Sequence, residues 1–168
     1  MSVRLVTLSP QVFEALADGD RASGERLTGL SMTPWFADRV EIWQYMLTLL
    51  EGRPHNAPWL MQAVVLGVDQ VIGNAGFKGV PVDGQTELGY SIEPDHRRQG
   101  HASTVVHLLL DRARSEPTAD RVIARIDPDN AASIGVVTKA GFVPDGEWMS
   151  PRAGRQLQFV HPTPGTDG

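Results

Sequence analysis

Apolar residues recur along this chain with two different periods, and the switches between them mark out its elements. "VRLVTLS" alternates and predicts a first strand. Pro10 then opens a short helix with Phe13, Leu16 and Ala17 on one stripe. Gly24 and Gly29 interrupt the next stretch. From about Pro34 to Leu50 the period is helical again, with Val40, Trp43, Met46, Leu47 and Leu50 on one face. Thr33 is placed to cap that helix and Gly52 to stop it. "EGRPHNAP" reads as a loop. "WLMQAVVLG", "VIGNAGFKG" and "TELGYSIE" predict three strands, separated by the turns "VDQ" and "PVDGQ", as in an antiparallel meander. A helix from about Gly100 to Ser115 buries Ala102, Val105, Val106, Leu109 and Ala113. "RVIARI" is a strand, Asn130 to Ala140 a helix stopped by Gly141, and "FVPDGEW" and "RQLQFVH" close the pattern as strands.

The order is β-α-α-β-β-β-α-β-α-β-β. The strands near Leu88–Glu93 and Val122–Ile126 flank one helix, and a crossover helix lets such strands lie parallel in an otherwise antiparallel sheet. The expected fold is therefore α/β with a mixed sheet. It is one domain over residues 1–160, with a flexible proline- and glycine-rich tail at 161–168. No repeat or low-complexity linker divides the chain.

Composition narrows the chemistry. The 168 residues are 41% hydrophobic, enough for a real core. There is no cysteine, which removes disulfides, thiolate metal ligands and a cysteine nucleophile. Fifteen Lys and Arg against twenty Asp and Glu leave a formal charge of −5, which argues against broad nucleic-acid binding. "MSVRLVTLSP" is broken by Arg4, Thr7 and Ser9 and does not read as a signal peptide. The longest apolar run, Ala63 to Val68, is too short for a membrane span. A soluble, cytoplasmic protein is expected.

The most specific stretch is "DHRRQGHAS", Asp95 to Ser103, where a helix begins. A helix N-terminus carries N–H groups without intrahelical partners and a partial positive charge, so it favours phosphate. Gly100 clears the approach to the backbone, Ala102 and Ser103 keep the first turn slim, and Arg97 and Arg98 add positive charge. Neither a P-loop nor a dinucleotide fingerprint is present. His96, His101 and His107 are spaced by five and six residues, which does not stack them on one helical face as metal ligands, so no metal is expected.

The pattern R-x-x-G-x-A at Arg97, Gly100 and Ala102, between a strand and a helix, resembles the coenzyme-A loop of the GNAT acyl-CoA N-acyltransferase superfamily. "NAASIGVVTKAGF", Asn130 to Phe142, is similar to a second segment of that superfamily at the usual distance. "ELGYSIEPDHRRQGHAS" lies nearest its RimJ/RimL-like branch. The likeness is sharp over Glu87 to Phe142 and extends by element order to nearly the whole chain. It implies a mostly antiparallel, twisted sheet flanked by helices, with a splayed parallel strand pair as the acyl-CoA slot.

The resemblance implies site residues one by one. Pyrophosphate is held by backbone N–H groups of Arg98, Gln99, Gly100, His101, Ala102 and Ser103. The pantetheine arm of acetyl-CoA adds to the strand edge, with Ile92 offering main-chain hydrogen bonds and a nearby N–H stabilising the oxyanion. Asn130 contacts the arm or caps its helix. Glu87 is the candidate base, directly or through water. Glu93 follows it, then His96, and a half-exposed glutamate in a surface ion pair is the plain alternative reading for either carboxylate. Where many members carry a tyrosine, seven residues after the asparagine, this chain has Val137. The serine three residues after Asn130, Ser133, is then the candidate donor to the leaving thiolate.

For the acceptor, a primary amine on a protein N-terminus or a small molecule is implied. His55, Asn56 and Trp59 lie in a loop within conceivable reach of the slot, and the acidic balance suits a cationic amine. "TPWF", "RPHNAPW" and "GEW" bring Trp35, Phe36, Trp59 and Trp148 to this region, although tryptophans are more often core than pocket. A non-catalytic acyl-CoA sensor and an interaction scaffold are the competing functions, and exposed late strands suit a homodimer.

Overall fold

The computed structural model describes residues 1–162. Its seven strands are β1 (Val3–Val6), β2 (Gln62–Leu66), β3 (Gln70–Phe77), β4 (Gln85–Ile92), β5 (Arg121–Ile126), β6 (Val143–Ser150) and β7 (Gly154–Pro162). They form one sheet in the order β1-β2-β3-β4-β5-β7-β6, antiparallel throughout except for β4 against β5. Short turns join β2, β3 and β4, so each strand must reverse. Between β4 and β5 the chain returns through α5 (His101–Arg114) and so runs parallel.

Helices cover both faces. α1 (Pro10–Ala17), α2 (Arg21–Thr28), α3 (Pro34–Ala37) and α4 (Val40–Leu50) lie on one side. There Phe13, Leu16, Phe36, Trp43 and Met46 pack with Ala63 and Val65 of β2. α5 and α6 (Ala131–Lys139) lie on the other, where Val105, Leu109 and Val137 pack with Val64, Leu88 and Ile92. Alternate residues of one strand thus feed two cores, which is why "WLMQAVVLG" is apolar throughout.

Three expectations shift. The helix expected from Pro34 to Leu50 is two helices, broken at Asp38–Arg39. Phe36 and Trp43 explain the break. Seven residues of continuous helix would separate them by about 10 Å along the axis, whereas their rings lie 4.9 Å apart in the core. Thr33 does cap, but it caps α3, accepting from Phe36 N. The stretch interrupted by Gly24 and Gly29 contains α2, capped by Asp20 and ended by Gly29 in the left-handed region. Gly24 is buried, and a Cβ there would stand 3.0 Å from Leu16. The loop "EGRPHNAP" carries a 3-10 helix, Pro54–Trp59, so β2 starts only at Gln62.

β6 is a free edge of the sheet, exposed along nearly its whole length, with Val143, Trp148 and Met149 facing solvent. β7 continues through His161 and Pro162, past the boundary expected at 160. The remainder of the expected tail, 163–168, lies outside the described residues. Among the described residues no helix is long and apolar enough to cross a membrane.

Candidate active site

β4 leads through a 3-10 turn, Pro94–His96, into the loop that starts α5. Gly100 is the N-cap, at φ 83°, ψ 1°, and no side chain caps the helix. Its Cβ position faces open space, so glycine is required there by the left-handed backbone and not by crowding. Arg98 is left-handed as well, at φ 60°. The side chains of Arg97 and Gln99 hold the loop: Arg97 Nε donates to Ile92 O at 2.7 Å and Gln99 Nε2 to Asp95 O at 3.3 Å. Arg98 is exposed, while His101, Ala102 and Ser103 are half-buried. The first-turn N–H groups of α5 are therefore available to an anion beside the exposed Arg98. His101 Nε2 is buried without a partner. Burial first, then the neighbouring His96 and the chain's amino terminus, hold the His101 pKa below the ordinary histidine value.

β4 and β5 pair over only three rungs, Gln85 with Arg121, Thr86 with Val122 and Glu87 with Ile123, and then part. On the other edge of β4, Glu87 O accepts from Lys78 N and Glu93 N donates to Ile72 O. By alternation the N–H groups of Leu88, Tyr90 and Ile92 point into the gap that opens toward β5. The carbonyl of Ile92 is already taken by Arg97, so its amide is what it offers there. A cavity of about 450 Å³ fills the splay, walled by Leu88–Ser91 on one side and Ala124–Asp127 on the other. It joins the two faces of the sheet. Tyr90, Asn130 and Ser133 line it from the α6 side, and Arg39, Met46, Met61 and Asn74 from the α3–α4 side.

The expected residues divide around this cavity. Ser133 and Asn130 line it together. Asn130 caps α6, its Oδ1 accepting from Ser133 N at 3.1 Å, which leaves the amide NH₂ to donate elsewhere. Glu87 stands at the root of the splay and lines a smaller neighbouring cavity of about 170 Å³. Lys78 Nζ donates to its Oε1 at 2.6 Å and Arg125 to its Oε2 at 3.1 Å, and both cations line the main cavity. Glu93 and His96 do not line the main cavity, and His96 Nε2 lies 3.4 Å from Gln70 Nε2. Val137 is fully buried in the core.

Two features escaped the sequence reading. Tyr90 lines the cavity, with its hydroxyl buried and lacking a partner of hydrogen-bonding geometry. Burial pushes the Tyr90 pKa up, and the neighbouring Ser133 hydroxyl pulls it part of the way back. The phrase "GYSI" held the only signal, a tyrosine in the strand before the loop. The second feature is the cations on the α3–α4 side. Arg39 enters the cavity because the helix breaks beside it, and a break driven by core packing is not visible in a helical period. Conversely, His55, Asn56 and Trp59 do not reach the main cavity. Asn56 and Trp59 are buried, Trp59 against Phe77 with ring centroids 5.0 Å apart.

Residues 3–143 match a family model described as an acetyltransferase (GNAT) domain. An uncharacterized N-acetyltransferase of Bacillus subtilis (strain 168), YjdG, is 25% identical over 146 residues, covering 84% of this chain and 86% of its own length. The solved structure of RimL, a ribosomal L7/L12 alpha-N-protein acetyltransferase in complex with coenzyme A, superposes with a TM-score of 0.68 at 16% identity, over 96% of this chain and 94% of that one. A ribosomal-protein-S5-alanine acetyltransferase from Vibrio fischeri gives 0.68 at 17% identity, over 98% and 95%.

Proposed function

Because the chain belongs to the GNAT acetyltransferase family and is an acyl-CoA-dependent N-acyltransferase, we propose that it moves an acetyl group directly from acetyl-CoA to a primary amine, on a protein N-terminus or a small molecule. The observations that carry this reading are the cavity in the β4–β5 splay, lined by residues from both faces of the sheet, and the uncapped start of α5 that follows β4 in the chain. A donor held on one face and an amine on the other meet within that cavity.

Acetyl-CoA supplies the acetyl group already activated as a thioester. The residues present suit it. The backbone N–H groups from Arg98 to Ser103 hold its diphosphate, the Ile92 amide and the Asn130 side chain hold its arm, and Arg97 keeps the loop braced against β4. In the transfer the amine nitrogen forms a bond to the acetyl carbon as the carbon–sulfur bond breaks. The ammonium proton leaves to Glu87 through water, since both Glu87 oxygens already accept from cations. The thiolate takes a proton from the Ser133–Tyr90 hydroxyl pair, which occupies the neighbourhood that Val137 leaves without a donor. Burial pushes the Tyr90 pKa above the ordinary tyrosine value, which favours the protonated, donating hydroxyl.

Thiol release from acetyl-CoA across a panel of amines and peptides tests the reading. Glu87→Gln is expected to lower kcat/KM about 10²-fold for a general base. Tyr90→Phe is expected to lower kcat about tenfold with KM unchanged. A Glu87→Gln effect under about threefold would reassign Glu87 to holding Lys78 and Arg125 in place. Val137 also favours a second reading, a sensor that binds acyl-CoA without turnover. Protection by acetyl-CoA with no thiol release on any acceptor would establish that reading in place of the first. A homodimer pairing the exposed β6 edges is the proposed assembly.

A further inference from the structure

The α3–α4 side of the cavity has a charge that the chain as a whole does not. In a protein of formal charge −5, four cations, Arg39, Lys78, Arg125 and Arg152, line this one space, against two carboxylates, Glu41 and Asp127. Lys78 and Arg125 share Glu87. Arg39 and Arg152 have no carboxylate within salt-bridge distance among the described residues. Each is laid over an aromatic ring: Arg39 lies 4.6 Å from the centroid of Trp35 and Arg152 lies 5.9 Å from that of Tyr45. Stacking orients a guanidinium by its faces and leaves its N–H edge free to bind. Arg39 spends one donor, on Asn74 Oδ1 at 3.4 Å, out of five.

These cations are not needed for the diphosphate. None of residues 97 to 103 lines this cavity, and the loop they form opens at the start of α5. Half-burial of an arginine costs hydration, which an anion brought into the cavity restores. A polyamine would meet the same cations as repulsion.

We propose that the acceptor is a primary amine that also carries an anionic group, a carboxylate or a phosphate, bound between Arg39 and Arg152. This inference rests on the N-acetyltransfer reading and adds the acceptor's class. It reverses the expectation of a cationic amine drawn from net charge. The reaction balances as before: the amine nitrogen is acylated, its proton goes to the base, and the anionic group is unchanged and serves only as a handle.

Matched acceptors test it by thiol release: O-phosphoethanolamine against ethanolamine, Ser-Glu against Ser-Gln with both dipeptides amidated at the C-terminus, and spermidine. The anionic member of at least one pair is expected to exceed its partner by about tenfold or more in kcat/KM, the size of a charge-assisted hydrogen bond. The gap should narrow in high salt. The phosphate and dipeptide arms separate the two sources of negative charge. Arg39→Gln should collapse the preference mainly through KM. Arg152→Gln, in an exposed turn, repeats the test at a site where folding is not at risk, and protection by acetyl-CoA checks that each variant still binds its donor. Absence of a preference in both pairs, or spermidine turned over as fast as every anionic acceptor, would overturn the proposal and leave N-acetyltransfer standing. Acetyl-CoA protection without turnover of any amine would overturn both.

Discussion

At the scale of single residues, the site is a set of polar groups whose partners are missing or doubled. Glu87 has two cations, Tyr90 no partner of good geometry, and His101 an orphaned ring nitrogen. His101 has a consequence for stability. Its pKa is lowered by burial and by His96, so the folded state favours the neutral ring. Below the unfolded value of 6.5 the unfolded chain binds the extra proton. The contribution is complete above that pH and is lost as pH falls through the lower folded value. Between pH 7.5 and 5 the Tm is therefore expected to fall, and His101→Gln should recover on the order of 2 °C of that loss. A Tm difference independent of pH between the two proteins would show that His101 does not titrate in this way. The sequence showed His101 as one of three loop and helix histidines. It did not show that its Nε2 is buried without a partner.

At the scale of elements, two local devices shape the candidate site. The first is the loop into α5, where left-handed Arg98 and Gly100 turn the chain so that uncapped N–H groups face outward. Gly100→Glu places a β-branchless but charged side chain on a backbone that favours glycine, and aims a negative charge at the anion position. Calorimetry with acetyl-CoA is expected to show at least about a hundredfold weaker binding. Gly100→Ala should cost only about 1 kcal/mol of stability from backbone strain. Unchanged affinity in the glutamate variant would remove the loop from the binding site. The second device is the break at Asp38–Arg39, which turns Arg39 into the cavity while Phe36 and Trp43 close the core. The loop was legible because it depends on glycine, arginine and small residues in fixed order. The break was not, because Val40, Trp43, Met46, Leu47 and Leu50 satisfy one helical stripe whether or not the helix extends back to Pro34.

At the scale of the whole molecule, a mixed sheet with one parallel pair makes the cleft possible. β4 and β5 separate after Glu87 and Ile123, and helices on both faces turn the gap into a walled passage. The same sheet leaves β6 as an open edge with Trp148 43% and Met149 68% exposed. Unpaired edges of this kind invite a second strand. Light scattering is expected to give twice the chain mass, and Met149→Lys to return a monomer with unaltered acetyl-CoA protection. A wild-type mass of one chain would remove the dimer.

Local periodicity and short-range chemistry encode the order of strands and helices, the parallel pair implied by the crossover helix, and the glycine-capped start of α5 with Arg97 and Arg98 beside it. Burial followed too, since strands apolar at successive positions must be covered on both faces. What only the tertiary structure decided is which side chains from distant segments share one space. Arg39, Tyr90, Ser133 and Arg152 are far apart in the chain and meet only because β4 and β5 diverge. The pairing of Glu87 with Lys78 and Arg125 likewise depends on β3 and β5 flanking β4. Net charge pointed to a cationic acceptor because it averages over the whole surface. The local field in the cleft depends on where four cations stand, and that is a property of packing.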